Sequence, residues 1–256
     1  MSFKHSVCRW CFEDTPLLKL ADWCQEIGIK GIDLLHPEEA TLIADQGLVC
    51  PVTAAPEHES GLGCIEKAFN NPDHHGTLLA IYRDLIPKAA EAGIPNVITF
   101  SGNREGLSDE EGLENCAQGL EPLLALAEQH GVTLIMELLN SKVDHPDYQC
   151  DNSDWGVALC EKLGSPRFKL LYDIYHMQIM EGNVMATIKR FSSYFEHYHT
   201  AGCPGRNELD TTQELYYPAI IQTIKATGYT GFLAHEFVPT WPDHKLALTD
   251  AVTRCS

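Results

Sequence analysis

Positive charge is scarce in this chain. Eighteen Lys and Arg side chains stand against 36 Asp and Glu, for a formal net charge of −18. Such a surface repels phosphate backbones, so nucleic acid is not an expected partner. Long apolar runs are missing too. No stretch approaches the roughly 18 uncharged apolar residues of a membrane span, and no membrane partner is expected. Met1-Ser-Phe-Lys-His-Ser6 passes into a strand-like run without the apolar region of a signal peptide, so a soluble, cytoplasmic protein is the expectation. A glycine-rich phosphate loop is also absent. A doubly wound dinucleotide fold would place one after the first strand, where the chain reads Phe12-Glu-Asp-Thr-Pro16. The ten cysteines lack metal-ligand spacing. Cys8-Arg-Trp-Cys11 is the single CxxC and falls on an expected strand, where positions three apart face opposite ways. A redox pair would open a helix, so the cysteines read as reduced packing residues.

What the chain has instead is β and α segments in alternation over 256 residues, with no low-complexity linker. Expected strands are 7–12, 31–35, 48–53, 96–100 and runs ending at Glu137, Asp173, His199 and Glu236. Expected helices are 16–27 (Thr15 as N-cap, Gly28 as stop), a short one opened by Pro37, 73–92, 108–130, 154–163, 184–191, 214–227 and 243–253. Ser108 and Glu111 form a capping box. Alternation of this kind implies a parallel sheet. About eight units in this length suit one (β/α)8 TIM barrel, a single domain over 1–256. The hydrophobic share of 44% is enough for one sizeable core.

Four expected strands of the second half end on a metal-binding side chain. Glu137, Asp173, His199 and Glu236 follow one another at 36, 26 and 37 residues, roughly one βα unit each. Parallel strands would carry all four to one end of the barrel. One carboxylate at a strand exit is more often a helix cap or a solvated loop residue; four in succession are harder to assign to accident. Three carboxylates converging there would repel unless a divalent cation sat between them. Oxygen donors with one imidazole suit one Mn²⁺, Mg²⁺ or Co²⁺ ion and do not exclude Zn²⁺. His176, three past Asp173, reads as a ligand or a donor to substrate, against the plainer option of a solvent-facing loop histidine. His197 shares the face of His199. His235 points opposite to Glu236 and reads as packing against a helix. Arg206, in the loop after His199, reads as a contact to an anionic substrate group, with a surface pair to Glu208 or Asp210 as the bland alternative. Glu57-His-Glu59 reads as a solvated loop, and nothing completes a metal set around His74-His75.

Leu171-Tyr-Asp-Ile-Tyr-His-Met-Gln178, His197-Tyr-His-Thr-Ala-Gly202, Pro204-Gly-Arg-Asn-Glu208, Gly228-Tyr-Thr-Gly-Phe232 and His235-Glu-Phe237 resemble the hydroxypyruvate isomerase family. That family belongs to the xylose isomerase-like barrels, with the ketose 3-epimerases and endonuclease IV. The resemblance covers nearly the whole chain. It implies a cytoplasmic, metal-dependent isomerase of carbohydrate metabolism that acts on a small hydroxy-carbonyl or sugar substrate through a cis-enediolate. It places acid/base work on Glu137 and Glu236. His199 stands where hydroxypyruvate isomerases carry glutamine and epimerases carry histidine, and Leu138-Leu-Asn-Ser-Lys142 differs from both. A ketose 3-epimerase of the tagatose/psicose type is therefore the alternative. A phosphodiester hydrolase or a non-catalytic sugar-binding barrel ranks lower. A homo-oligomer is compatible with all of these.

Overall fold

The computed structural model describes residues 3–256. Eight strands appear in order: β1 Lys4–Cys8, β2 Gly31–Asp33, β3 Val52–Thr53, β4 Asn96–Thr99, β5 Thr133–Glu137, β6 Phe168–Asp173, β7 Phe195–Thr200 and β8 Phe232–His235. The helices are α1 Leu17–Ile27, α2 Pro37–Ala44, α3 His75–Glu91, α4 Asp109–His130, α5 Ser153–Leu163, α6 Ile174–Met180, α7 Val184–Phe191, α8 Tyr217–Ala226 and α9 His244–Arg254. All paired strands are parallel, in the order β2-β1-β8-β7-β6-β5-β4-β3. The ring closes between β2 and the segment entering β3. Ile32 N–H donates to Val49 O at 2.9 Å and Leu34 N–H to Val52 O at 2.7 Å. Gly31 is required at this seam, because a Cβ there would meet Pro51 Cγ at 2.8 Å. Among the described residues, no helix is long and apolar enough to cross a membrane.

Alternation along the strands divides the apolar residues into two sets. The larger core lies between barrel and helices and takes Val7, Ile32, Val97, Leu134, Met136, Leu170, Tyr172, Tyr198 and Leu233 from the strands. Inside the barrel Val52, Ile98, Ile135 and Leu171 form a small apolar cluster. These come from β3 to β6. On the opposite side, β7, β1 and β2 turn His197, His199, Cys8 and Asp33 inward, all fully or almost fully buried. The lumen thus has an apolar half and a polar half.

Several sequence expectations need correction. The first strand is Lys4–Cys8, and Arg9–Phe12 is a 3-10 turn, so Cys8 and Cys11 do not share a strand. All ten cysteines are free thiols. The residue at the N-cap of α1 is Pro16, with no side-chain cap bond; Thr15 is buried one place earlier. The third strand shrinks to two residues because Pro51 has no N–H to offer a ladder. A helix unforeseen in the sequence, α6, starts immediately after β6. Asp173 is its N-cap, with Oδ1 accepting from the N–H groups of Tyr175 (2.8 Å) and His176 (3.2 Å). The capping box of Ser108 and Glu111 is present, and Gly131 ends α4 in the left-handed conformation.

Candidate active site

The C-terminal ends of β5, β6, β7 and β8 converge at one mouth of the barrel. Glu137, Asp173, His199 and Glu236 each offer one ligand atom there, and these atoms all lie within 4.8 Å of one another. All four residues are buried. His199 Nδ1 lies 2.8 Å from Glu236 Oε2 and 3.4 Å from Glu137 Oε1. Among the described residues, Glu137 Oε1 and Asp173 Oδ2 find no hydrogen-bond partner, and both are buried. Asp173 therefore uses one oxygen to cap α6 and turns the other to the cluster. Two carboxylates at such separations repel by about 3–4 kcal/mol at an effective dielectric constant near 20. Burial pushes the Asp173 carboxyl up, and the Glu236 and Glu137 carboxylates beside it add to that. Burial would also raise Glu236, but His199 and Arg206 outweigh it and hold Glu236 well below the usual carboxylate range.

Arg206 reaches the cluster from the β7–α8 loop. Its Nη2 lies 2.6 Å from Glu236 Oε2 and 3.5 Å from Asp173 Oδ2. The guanidinium sits 5.1 Å from the Trp10 ring and 5.4 Å from the Tyr175 ring. Its backbone is left-handed, with φ 58°, a conformation costly for a side-chain-bearing residue. Two hydrogen bonds hold it: Arg206 N–H donates to Gly202 O at 2.8 Å, and Val238 N–H donates to Arg206 O at 2.7 Å. The surface pairs considered for Arg206 are not formed. Glu208 instead accepts from the N–H groups of Thr240 (2.6 Å) and Trp241 (2.9 Å), and Asp210 accepts from Thr212.

His176 is fully buried and faces the same space rather than solvent. Asn140 presents two donors to its Nδ1, the backbone N–H at 3.2 Å and Nδ2 at 2.6 Å. Nδ1 must accept, so the ring proton sits on Nε2. Among the described residues Nε2 has no hydrogen-bond partner; it lies 3.6 Å from Asp173 Oδ2. Burial, then the Arg206 charge, keeps this imidazole neutral by lowering its pKa well below the ordinary value.

Several neighbours were not foreseen. Trp10 donates from Nε1 to Glu236 Oε1 at 2.8 Å; nothing in its local sequence signals this. Asp33, at the exit of β2, lies 2.5 Å from His197 Nε2 and 3.7 Å from His199 Nε2. The expected strand 31–35 put it in mid-strand; in the structure β2 ends on Asp33, as β6 ends on Asp173. His145 packs 5.4 Å from the His176 ring. His235, read as packing against a helix, stacks on His5 of β1 at 5.3 Å and lies 3.1 Å from Thr200 Oγ1 of β7. Glu57, His58 and Glu59 are exposed, and His74 and His75 are engaged by the Ala68 and Phe69 carbonyls.

A closed parallel barrel with its polar cluster at the strand exits defines the general class. Residues 21–251 match the family model of the xylose isomerase-like TIM barrel, and the chain belongs to that family. A Mus musculus protein provisionally named hydroxypyruvate isomerase is 30% identical over 245 residues, 93% of this chain and 80% of its own length. The 2-oxo-tetronate isomerase of Cupriavidus necator is 36% identical over 113 residues, 44% of this chain; the matched stretch spans 43% of that protein, less than half its length. Among solved structures, an AP endonuclease, family 2, from Brucella melitensis superposes with a TM-score of 0.85 at 22% identity, covering 96% of both chains. An L-ribulose 3-epimerase superposes with a TM-score of 0.80 at 18% identity, covering 99% of this chain and 93% of its own. At these identities the two superpositions show the shared fold alone.

Proposed function

We propose that this protein is a divalent-metal-dependent isomerase of short hydroxy-carbonyl compounds, of the hydroxypyruvate isomerase type. The observation that carries the reading is the four-residue cluster. Glu137, Asp173, His199 and Glu236 converge within 4.8 Å, and two of their carboxylate oxygens are buried with no partner. Buried orphan acceptors among like charges fit a cation far better than they fit a resting protein. The donor set, three carboxylates and one imidazole, suits Mn²⁺, Mg²⁺ or Co²⁺. When bound, the ion supplies Lewis-acid polarisation of the substrate carbonyl and adjacent hydroxyl, which acidifies the C–H between them.

The protein's own groups do the rest. Glu137 ends β5 and Glu236 directly follows β8, and the two act as an acid/base pair from different sides of the site. One removes the proton at carbon. It returns the proton to the neighbouring carbon in isomerisation, or the opposing glutamate delivers it to the other face in epimerisation. His176 donates its Nε2–H to a substrate oxygen. Arg206 holds the oxygen on which negative charge collects in the enediolate. The second reading, C3 epimerisation of a ketose, is favoured by one residue, since His199 stands where the resemblance gives epimerases histidine.

A panel of hydroxypyruvate, 2-oxo-tetronate, tagatose, psicose and ribulose, with Mn²⁺ or Mg²⁺ in D₂O, tests both readings. Isomerisation places solvent deuterium on the carbon next to the one that lost its proton; epimerisation places it on the same carbon with inverted configuration. Glu137→Gln and Glu236→Gln should each lose about 10²–10⁴ in kcat. Full activity in both variants would end the two-glutamate scheme, and turnover undiminished after chelation would end the metal reading.

A further inference from the structure

The polar half of the lumen holds a second group of buried side chains directly beneath the mouth. Asp33, His197 and His199 are each at most 1% exposed. Asp33 comes from β2 and the histidines from β7, which are not neighbours in the sheet. The contact therefore crosses the barrel interior. Both Asp33 oxygens and His197 Nε2 lack aligned hydrogen-bond partners among the described residues, although Asp33 Oδ2 and His197 Nε2 stand 2.5 Å apart. A carboxylate buried this deeply must be compensated by a donor or a positive charge. Two imidazole nitrogens are in reach, His197 Nε2 and His199 Nε2.

His199 has two nitrogens with different surroundings. Nδ1 faces Glu236 and Glu137. Nε2 faces away from the mouth, with Asp33 Oδ2 at 3.7 Å and Cys8 Sγ at 3.8 Å. A histidine that offers Nδ1 as a ligand must carry its proton on Nε2, and that N–H then needs an acceptor. A thiol sulfur is a weak acceptor. Among the described residues, Asp33 is the carboxylate that comes within 4 Å of that nitrogen, and a movement of under about 1 Å brings Oδ2 into hydrogen-bond range. We propose that Asp33 is a positioning residue that accepts the Nε2–H of His199, fixes its tautomer and turns Nδ1 toward the cluster, while His197 holds Asp33 in place. This rests on the metal-dependent reading above and extends it one layer down the barrel.

Mn²⁺ binding to the full-length protein by titration calorimetry provides the test, alongside thermal melts of the metal-free proteins. Asp33→Asn should bind Mn²⁺ about 10–100-fold more weakly than the unaltered protein, with a metal-free melt close to it. Cys8→Ala should bind nearly as the unaltered protein does. Histidine ¹⁵N spectra of the Mg²⁺-loaded protein should show the His199 proton on Nε2, and Asp33→Asn should mix the tautomers. If Asp33→Asn does not fold, His197→Gln keeps the carboxylate, removes its clamp and should still weaken binding several-fold. Unchanged Mn²⁺ affinity in whichever variant folds would overturn the role of Asp33 and leave the metal reading standing. A melt lowered at unaltered affinity, the mark of a purely structural pair, would do the same. Failure of the unaltered protein to bind Mn²⁺, Mg²⁺ or Co²⁺ would overturn both.

Discussion

At Arg206 the guanidinium is held between two aromatic rings and two carboxylates. An ammonium group cannot reproduce the planar, multi-donor contacts of a guanidinium in that setting. Arg206→Ala should lower kcat/KM at least tenfold, about 1.4 kcal/mol, and Arg206→Lys should recover little of it. Steady-state kinetics on the substrate found in the panel checks this, and unchanged values would make Arg206 a scaffold residue. A second residue-scale expectation concerns acid. Burial and the Lys225 charge push the His5 pKa down to about 4, and its Nδ1 lies 3.1 Å from His235 Nε2. The folded state thus binds fewer protons than the unfolded chain between about pH 6.5 and 4. Stability from this site is present above pH 6.5 and lost as the pH falls toward 4, by at most about 3 kcal/mol. His5→Gln should flatten that part of the decline in urea melts run from pH 7 to 4.5. An equally steep decline in the variant would assign the acid sensitivity to other buried groups, His176 and His235 among them.

The β7–α8 loop carries Arg206 to the cluster. Gly202 packs so closely that a Cβ would meet Glu208 O at 2.2 Å. Gly202→Ala should displace the loop and reproduce much of the kinetic loss of Arg206→Ala without touching a side chain in the cluster. A crystal structure or kinetics of the variant decides it; wild-type kcat/KM would show that the loop absorbs the change elsewhere. Elements also show what the sequence could and could not reveal. The ends of β5 and β6 were legible because apolar runs stop at a carboxylate, and α4 because Ser108, Glu111 and Gly131 punctuate it. The helix α6 is hidden in the sequence because Asp173 both caps it and faces the cluster, so one carboxylate carries two signals. The brevity of β3 was hidden because Val49 and Val52 look like strand residues while Pro51 breaks the ladder between them. Trp10 left no trace, since its bond to Glu236 spans 226 positions.

For the whole molecule, the net charge of −18 turns ionic strength into a probe of substrate. A carboxylate-bearing substrate must approach against that field, which reaches about 30 Å at 0.01 M salt and about 10 Å at 0.1 M. Raising salt over this range should therefore increase kcat/KM for a hydroxy-oxo acid and leave a neutral ketose nearly unaffected. A fall in kcat/KM with salt would point to local attraction by Arg206 dominating the approach. The ring itself is uneven in another respect. Seven of its junctions are strand ladders, while the eighth, at Gly31 and Val49, is a bridge flanked by a two-residue strand. When the barrel breathes, it should part there first, like a bracelet at its clasp. Deuterium would then reach the amides of Ile32 and Leu34 before those of β5 and β6. Glu137, Asp173, His199 and Glu236 sit at the ends of β5 to β8, on the side of the ring away from the clasp, so the fold can loosen at one edge while these four side chains stay together at the other.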